Sequence, residues 1–103
     1  MQNKVKIFNK NRTCHKKQMP TFARILNIQS EMGELAKSYL KNSKYGTKDF
    51  TLNDEFKEEF GDVLYTILSL ANELNLDCNS CLDFTLNKLK TRMENNGSME
   101  NKK

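Results

Sequence analysis

The sequence predicts an all-α protein, an antiparallel helical bundle whose four-helix-type core is completed by oligomerisation. Apolar residues recur at helical spacing in long runs, no stretch of useful length alternates as a strand does, and no internal repeat is present. At 103 residues the chain is one domain. A lone domain of that size buries only about two-thirds of its unfolded surface, so self-association adds burial it otherwise lacks.

Near the N-terminus, Val5 and Phe8 suit a short helix inside a basic arm, residues 1–18, which carries Lys4, Lys6, Lys10, Arg12, Lys16 and Lys17 and no acid. The arm lacks the aromatic interleaving that stacks bases, so it is expected to be solvated, and nucleic acid is not an expected partner. Pro20 or Thr21 starts a first long helix, amphipathic from Phe22 to about Leu40. Asn42 to Asn53, with Gly46, Thr47 and Asp49, reads as a connection bending at Tyr45-Gly46. A second long helix runs from about Asp54 to Leu74, capped by Asn53 or Asp54, with acids in its first turn that suit the helix dipole. Asn75, Asp77 and Asn79 interrupt the pattern. A third long helix, capped by Asn79 or Ser80, then reaches about Glu94 with Leu82, Leu86, Leu89 and Met93 on one side. The domain is therefore expected over residues 1–94, followed by a flexible Asn-, Gly-, Ser- and Lys-rich tail, 95–103.

Several classes are excluded. No stretch approaches the roughly 18 to 20 apolar residues of a membrane span, and the N-terminus lacks the apolar core of a secretory signal, so a cytoplasmic protein is expected. An odd set of three cysteines argues for reduced thiols. Cys78-Asn-Ser-Cys81 with Cys14-His15 has zinc-like spacing, but Cys81 falls where a small buried side chain suits the third helix. A single histidine and scattered single glycines support neither a Ser or Cys hydrolase nor a P-loop.

The acids carry the chemistry. On the first long helix Ile25, Ile28, Met32, Leu35, Ala36 and Tyr39 define an apolar face, with Glu31 and Glu34 roughly 90° and 150° from its centre. On the second, Phe56, Phe60, Val63, Leu64, Ile67, Leu70, Ala71 and Leu74 define the corresponding face, with Glu59 and Asp62 roughly 80° and 140° away on the flank of the same hand. If the helices pair antiparallel with apolar faces together, a two-fold axis between them brings all four carboxylates to one patch. The positions four residues beyond each acid are Leu35, Ser38, Val63 and Thr66, none of them basic, so repulsion must be relieved by another cation. A hard divalent ion such as Mg²⁺, with oxygen ligands and water, does this.

Glu31-Met-Gly-Glu34-Leu-Ala-Lys37, Tyr45-Gly46, Glu58-Glu59-Phe-Gly-Asp62-Val-Leu-Tyr65 and Leu70-Ala-Asn72-Glu-Leu-Asn-Leu-Asp77 follow one another in an order and spacing similar to the motif blocks of a known family. Over roughly residues 20–93 the chain resembles the MazG-like members of the all-α nucleotide pyrophosphohydrolase superfamily. The resemblance implies hydrolysis of a nucleoside or deoxynucleoside triphosphate to the monophosphate and pyrophosphate in nucleotide-pool house-cleaning. It further implies that Glu31, Glu34, Glu59 and Asp62 are both the metal ligands and the catalytic acids, with Mg²⁺ as cofactor and Mn²⁺ as a substitute. Many relatives carry another acid where this chain has Ser30. Lys37, Lys88 and Arg92 are candidates to meet phosphates, across the bundle or from a neighbouring subunit, and Asn72 to meet sugar or base. Tyr65 is expected in the core. A homodimer or homotetramer is expected, with no membrane partner. The alternatives are a phosphoribosyl-ATP pyrophosphohydrolase on a related scaffold and a non-catalytic helical adaptor with a basic arm.

Overall fold

The computed structural model describes residues 1–13 and 20–100, with side chains described for 1–12 and 20–96. The fold is all-α, with helices α1 (Gln2–Thr13), α2 (Thr21–Lys41), α3 (Asp54–Glu73) and α4 (Cys78–Glu100). Cys14 and His15, and with them the four-ligand zinc reading, lie outside the described residues.

Local chemistry accounts for the boundaries. Pro20 caps α2 in extended conformation, and its missing N–H costs nothing at a helix start. Asn53 caps α3 through its side-chain oxygen, which accepts the Phe56 N–H at 2.9 Å. The connection between them turns through Lys44, Tyr45 and Gly46, all at positive φ, a region that glycine enters without penalty. Ahead of α4 the capping group is Asp77, one carboxylate oxygen accepting the Asn79 N–H and the other the Ser80 hydroxyl. That helix continues to Glu100, past the end expected near Glu94.

The N-terminal segment departs from a solvated arm. α1 lies along α3, tied there by side-chain bonds that its composition does not announce. Gln2 donates to the Asn72 side chain and the Leu76 carbonyl and accepts the Cys78 N–H, while Asn72 donates back to the Gln2 carbonyl. Asn9 donates to the Ser69 hydroxyl, Arg12 donates to the Tyr65 hydroxyl, and the Phe8 ring meets Tyr65 edge-on.

α2 and α3 form the antiparallel hairpin, and only part of each expected apolar face is covered, with Val63 and Ala71 of α3 buried and Ile28 and Leu35 of α2 half-buried. Small polar side chains are buried on both helices, Ser38 on α2 and Thr66 and Ser69 on α3. Each hydroxyl has a partner, so the seam closes without an orphaned polar group among the described residues. Clamps at both ends set the helix rotation. At one end Arg24 of α2 pairs with Glu73 of α3 at 2.7 Å, and Thr21 donates to the same carboxylate. At the other, Asn42 donates to Glu55 and accepts from Asn53, beside the stacked rings of Tyr39 and Phe50.

The expected inward faces are thereby turned partly outward. Ile25, Met32 and Tyr39 form an exposed stripe on α2, and Phe60, Ile67 and Leu74 form one on α3. Among the described residues the fully buried apolar side chains are Val63, Leu68 and Ala71, a small core for a chain of this length. At about 1.5–3 kcal/mol for a fully buried large aliphatic side chain, that core is weak against the entropy of ordering four helices.

α4 stands away from the hairpin, so within one chain it does not complete the expected bundle. The packed pairs are α2 with α3 and α1 with α3. The radius of gyration is 18.0 Å, where a compact chain of this length has about 13 Å. Leu82, Leu86, Leu89 and Met93 consequently remain exposed.

Candidate metal centre

The rotation that leaves the apolar stripes open turns Glu31 and Glu59 into the seam. Glu31, Glu59 and Asp62 each offer one carboxylate oxygen, all within 4.8 Å of one another, with Glu31 and Glu59 half-buried and Asp62 exposed. The helical repeat accounts for the convergence. Glu59 and Asp62, three residues apart, project from neighbouring turns of α3, and the antiparallel register sets Glu31 opposite them. Glu34 falls outside the trio but near enough for its charge to act on Glu59.

Electrostatics single out Glu59. Its carboxyl is pushed above the usual range first by burial, then by the negative charges of Asp62, Glu34, Glu31 and Glu55. One turn earlier Glu55 is held low, because its carboxylate accepts from the Lys41 ammonium and the Asn42 amide. None of the ion pairs among the described residues involves the trio. The fold thus neutralises the carboxylate beside the cluster and leaves the cluster's own repulsion uncompensated.

That arrangement fits a hard divalent ion. The donors are all carboxylate oxygens, the ligand type that a hard divalent ion takes, and Glu31, Glu59 and Asp62 are the residues that would hold it. The exposed Asp62 side leaves room for water and a phosphate ligand.

Comparison with known proteins places the chain. The model of the MazG nucleotide pyrophosphohydrolase domain matches residues 22–96. The chain belongs to this family. MazG proteins are hydrolases of nucleotide phosphoanhydride bonds, and the matched segment contains α2, α3 and the whole carboxylate cluster. A curated relative, the uncharacterized protein YpjD of Bacillus subtilis (strain 168), is 34% identical over 73 residues, covering 68% of this chain. The matched region spans 64% of that relative's length. No solved structure matches the chain.

The remaining expected site residues are not gathered with the trio. Lys37 is exposed on α2. Asn72 is engaged with Gln2 at the far end of α3, about 15 Å of helix from Asp62. Lys88 and Arg92 line a groove on α4 itself and, with α4 standing off, do not reach the carboxylates of their own chain. Ser30 is exposed. Tyr65 is half-buried, its hydroxyl anchoring α1. Cys81 is exposed and Cys78 half-buried, both as free thiols, so the small buried side chain expected at Cys81 is absent.

Sequence reasoning missed Arg24, Glu73 and Arg12. The first two fix the helix register that sets Glu31 against Glu59, and Arg12 anchors α1 on Tyr65. Their signal was available only in part: Arg24 and Glu73 are isolated opposite charges at the outer ends of the two long periodic runs.

Proposed function

We propose that the protein is a Mg²⁺-dependent nucleoside triphosphate pyrophosphohydrolase that releases pyrophosphate and a nucleoside monophosphate in a cytoplasmic house-cleaning role. The observation that carries this reading is the Glu31, Glu59 and Asp62 trio, set in the seam of a MazG domain without a protein cation to neutralise it. Bound there, a divalent ion supplies charge neutralisation on the phosphates and a water acidic enough to attack phosphorus. The three carboxylates hold it from two helices. Glu34, one turn along α2 and outside the trio, would be the candidate to take a proton from the attacking water. Glu59 must be ionised to serve as a ligand, so its raised affinity for a proton makes the site weaken in acid.

The hairpin's uncovered stripes complete the reading. Ile25, Met32 and Tyr39 on α2 and Phe60, Ile67 and Leu74 on α3 are exposed large apolar side chains at seven-residue spacing. Such a face is self-complementary under a two-fold axis, and a homodimer that pairs two hairpins forms a four-helix bundle. Lys88 and Arg92 on α4 then act, if at all, on a neighbouring subunit's substrate.

The test is pyrophosphate release from a panel of ribo- and deoxyribonucleoside triphosphates, with and without Mg²⁺, by wild type and Glu34→Gln. Metal-dependent release that falls about 10²-fold or more in the variant is the expected result. Release that is indifferent to both metal and Glu34 contradicts the assignment.

A further inference from the structure

α4 carries an apolar face that its own chain leaves open. The helix stands off the hairpin, and none of its described side chains is buried. Leu82, Leu86, Leu89 and Met93 are 55%, 52%, 47% and 69% exposed. Their steps of four, three and four residues keep all four within roughly 60° of the helix surface, at the a and d positions of a heptad. Charged or polar residues bound this seam on both sides, Asp83 and Lys90 on one flank and Thr85 and Arg92 on the other. A helix that seats in the groove between two others needs a wider stripe, about three positions in seven. So narrow a seam fits a single partner helix.

The surface of the chain leaves room for such a contact beside the pairing of hairpins. The accessible surface is 8327 Å², where a compact folded chain of 12.0 kDa exposes about 6,000 Å². The excess of about 2,300 Å² is more than twice the roughly 800 Å² that each partner gives to an interface of standard size.

The flanks identify the partner. Two copies of α4 set antiparallel about a two-fold axis place Leu82 of one against Met93 of the other, and Leu86 of one against Leu89 of the other. An a residue then meets a d residue in all four layers. In that register like flanks face each other, so Asp83 of each copy lies beside Lys90 of the other, and two ion pairs form. A parallel in-register pair sets Lys90 opposite Thr85 and Asp83 opposite Cys78, and forms neither ion pair. The helix is complementary to itself in the antiparallel orientation.

We infer that α4 is a self-association helix, which pairs antiparallel with α4 of a second copy of this chain through Leu82, Leu86, Leu89 and Met93 and is held in register by Asp83 and Lys90. The contact adds to the pairing of hairpins and is independent of the metal centre. A seam of four layers is short, so the two contacts reinforce each other within one assembly.

Sedimentation of the full chain across a concentration series tests the pairing. Asp83→Lys and Lys90→Asp each replace two ion pairs with two like-charge pairs, and each is expected to weaken association at least about tenfold. An equimolar mixture of the two variants is expected to restore wild-type association, because every flank then meets an opposite charge, and restoration on mixing rules out a folding defect. The double variant Asp83→Lys/Lys90→Asp is expected to restore it as well. Single variants that associate as wild type does, or a loss that mixing fails to repair, overturn the α4 pair; the second result is the one expected if α4 packs on another copy's hairpin stripe. A wild type that stays monomeric overturns it too. Ile67→Glu separates the two contacts. Association that is lost in that variant but indifferent to the charges of α4 refutes this inference and leaves the hairpin pairing standing, and the reverse pattern refutes the hairpin pairing alone.

Discussion

The seam and the outer face of the α2–α3 hairpin invert the usual order of a helical pair. Between the helices lie Ser38 and Thr66, buried and hydrogen-bonded, and the half-buried Glu31 and Glu59, whereas the large apolar side chains Ile25, Met32, Phe60 and Ile67 are exposed. A hairpin that had only to be stable would do the opposite, since a buried aliphatic side chain contributes about 1.5–3 kcal/mol and a buried carboxylate costs free energy. The inversion assigns chemistry to the seam and stability to contacts with other surfaces. The strain of that choice is visible at Glu59, whose ionisation burial and four neighbouring carboxylates oppose.

Removing the seam's charge has the largest expected effect. Asp62→Asn or Glu59→Gln is expected to lower Mg²⁺-dependent turnover by about 10²-fold or more, while the apo protein keeps or gains thermal stability because repulsion is relieved. A variant that loses stability and keeps activity would show that the seam carboxylates are structural.

On the outer face, Ile67→Glu places a charge in the middle of an apolar stripe. It is expected to shift the chain from an oligomer toward monomer, by about 10²-fold or more in association constant, as read by sedimentation across a concentration series. A monomeric wild type with unchanged stability would remove the role assigned to the stripes.

Smaller effects probe what holds the seam in register. Glu73→Ala leaves the Arg24 guanidinium, 13% exposed, without its partner, and is expected to cost about 2 kcal/mol in chemical denaturation. Asn53→Ala removes the cap of α3 and is expected to cost about 1 kcal/mol.

Titration sharpens the same contrast. Glu59 has a folded-state affinity for protons raised above the unfolded one, so protonation favours the fold, and that contribution is lost as pH rises through its folded pKa. Glu55 runs the other way. Its lowered pKa gives stability that is present above the unfolded pKa and lost as pH falls through the folded one. Saturating Mg²⁺ is expected to stabilise the protein increasingly as pH rises through the Glu59 transition, as a thermal scan at several pH values with and without the ion would report.

The helix boundaries were legible in the sequence because they are set locally. Pro20, the Tyr45-Gly46 bend and the Asn53 cap act on their own neighbours. The approach of Glu31 to Glu59 and Asp62 was legible because the two acid pairs lie on flanks of the same hand on antiparallel helices, although Glu34 falls outside the trio. Rotation itself was not legible. A helical wheel points the apolar face inward, and it cannot register that Ser38, Thr66 and Ser69 are small enough to let a polar seam close, or that Arg24 and Glu73 lock it. The same limit applies to α1. Its basic composition matches a solvated arm, and only the tertiary partners of Gln2, Asn9 and Arg12 make it part of the fold. Asn72, expected at the nucleotide, is hydrogen-bonded to Gln2 of α1. The separation of α4 depends on contacts between surfaces distant in sequence, which its regular Leu82, Leu86, Leu89, Met93 spacing does not specify.

The most direct measurement is titration of the protein with Mn²⁺ followed by electron paramagnetic resonance, with Mg²⁺ as competitor, in wild type, Glu59→Gln and the surface control Glu94→Gln. Binding that Mg²⁺ displaces, that weakens at least about tenfold in Glu59→Gln and that is unchanged in the control is the predicted result. Equal Mn²⁺ affinity in all three proteins would contradict the assignment of Glu31, Glu59 and Asp62 as the metal centre.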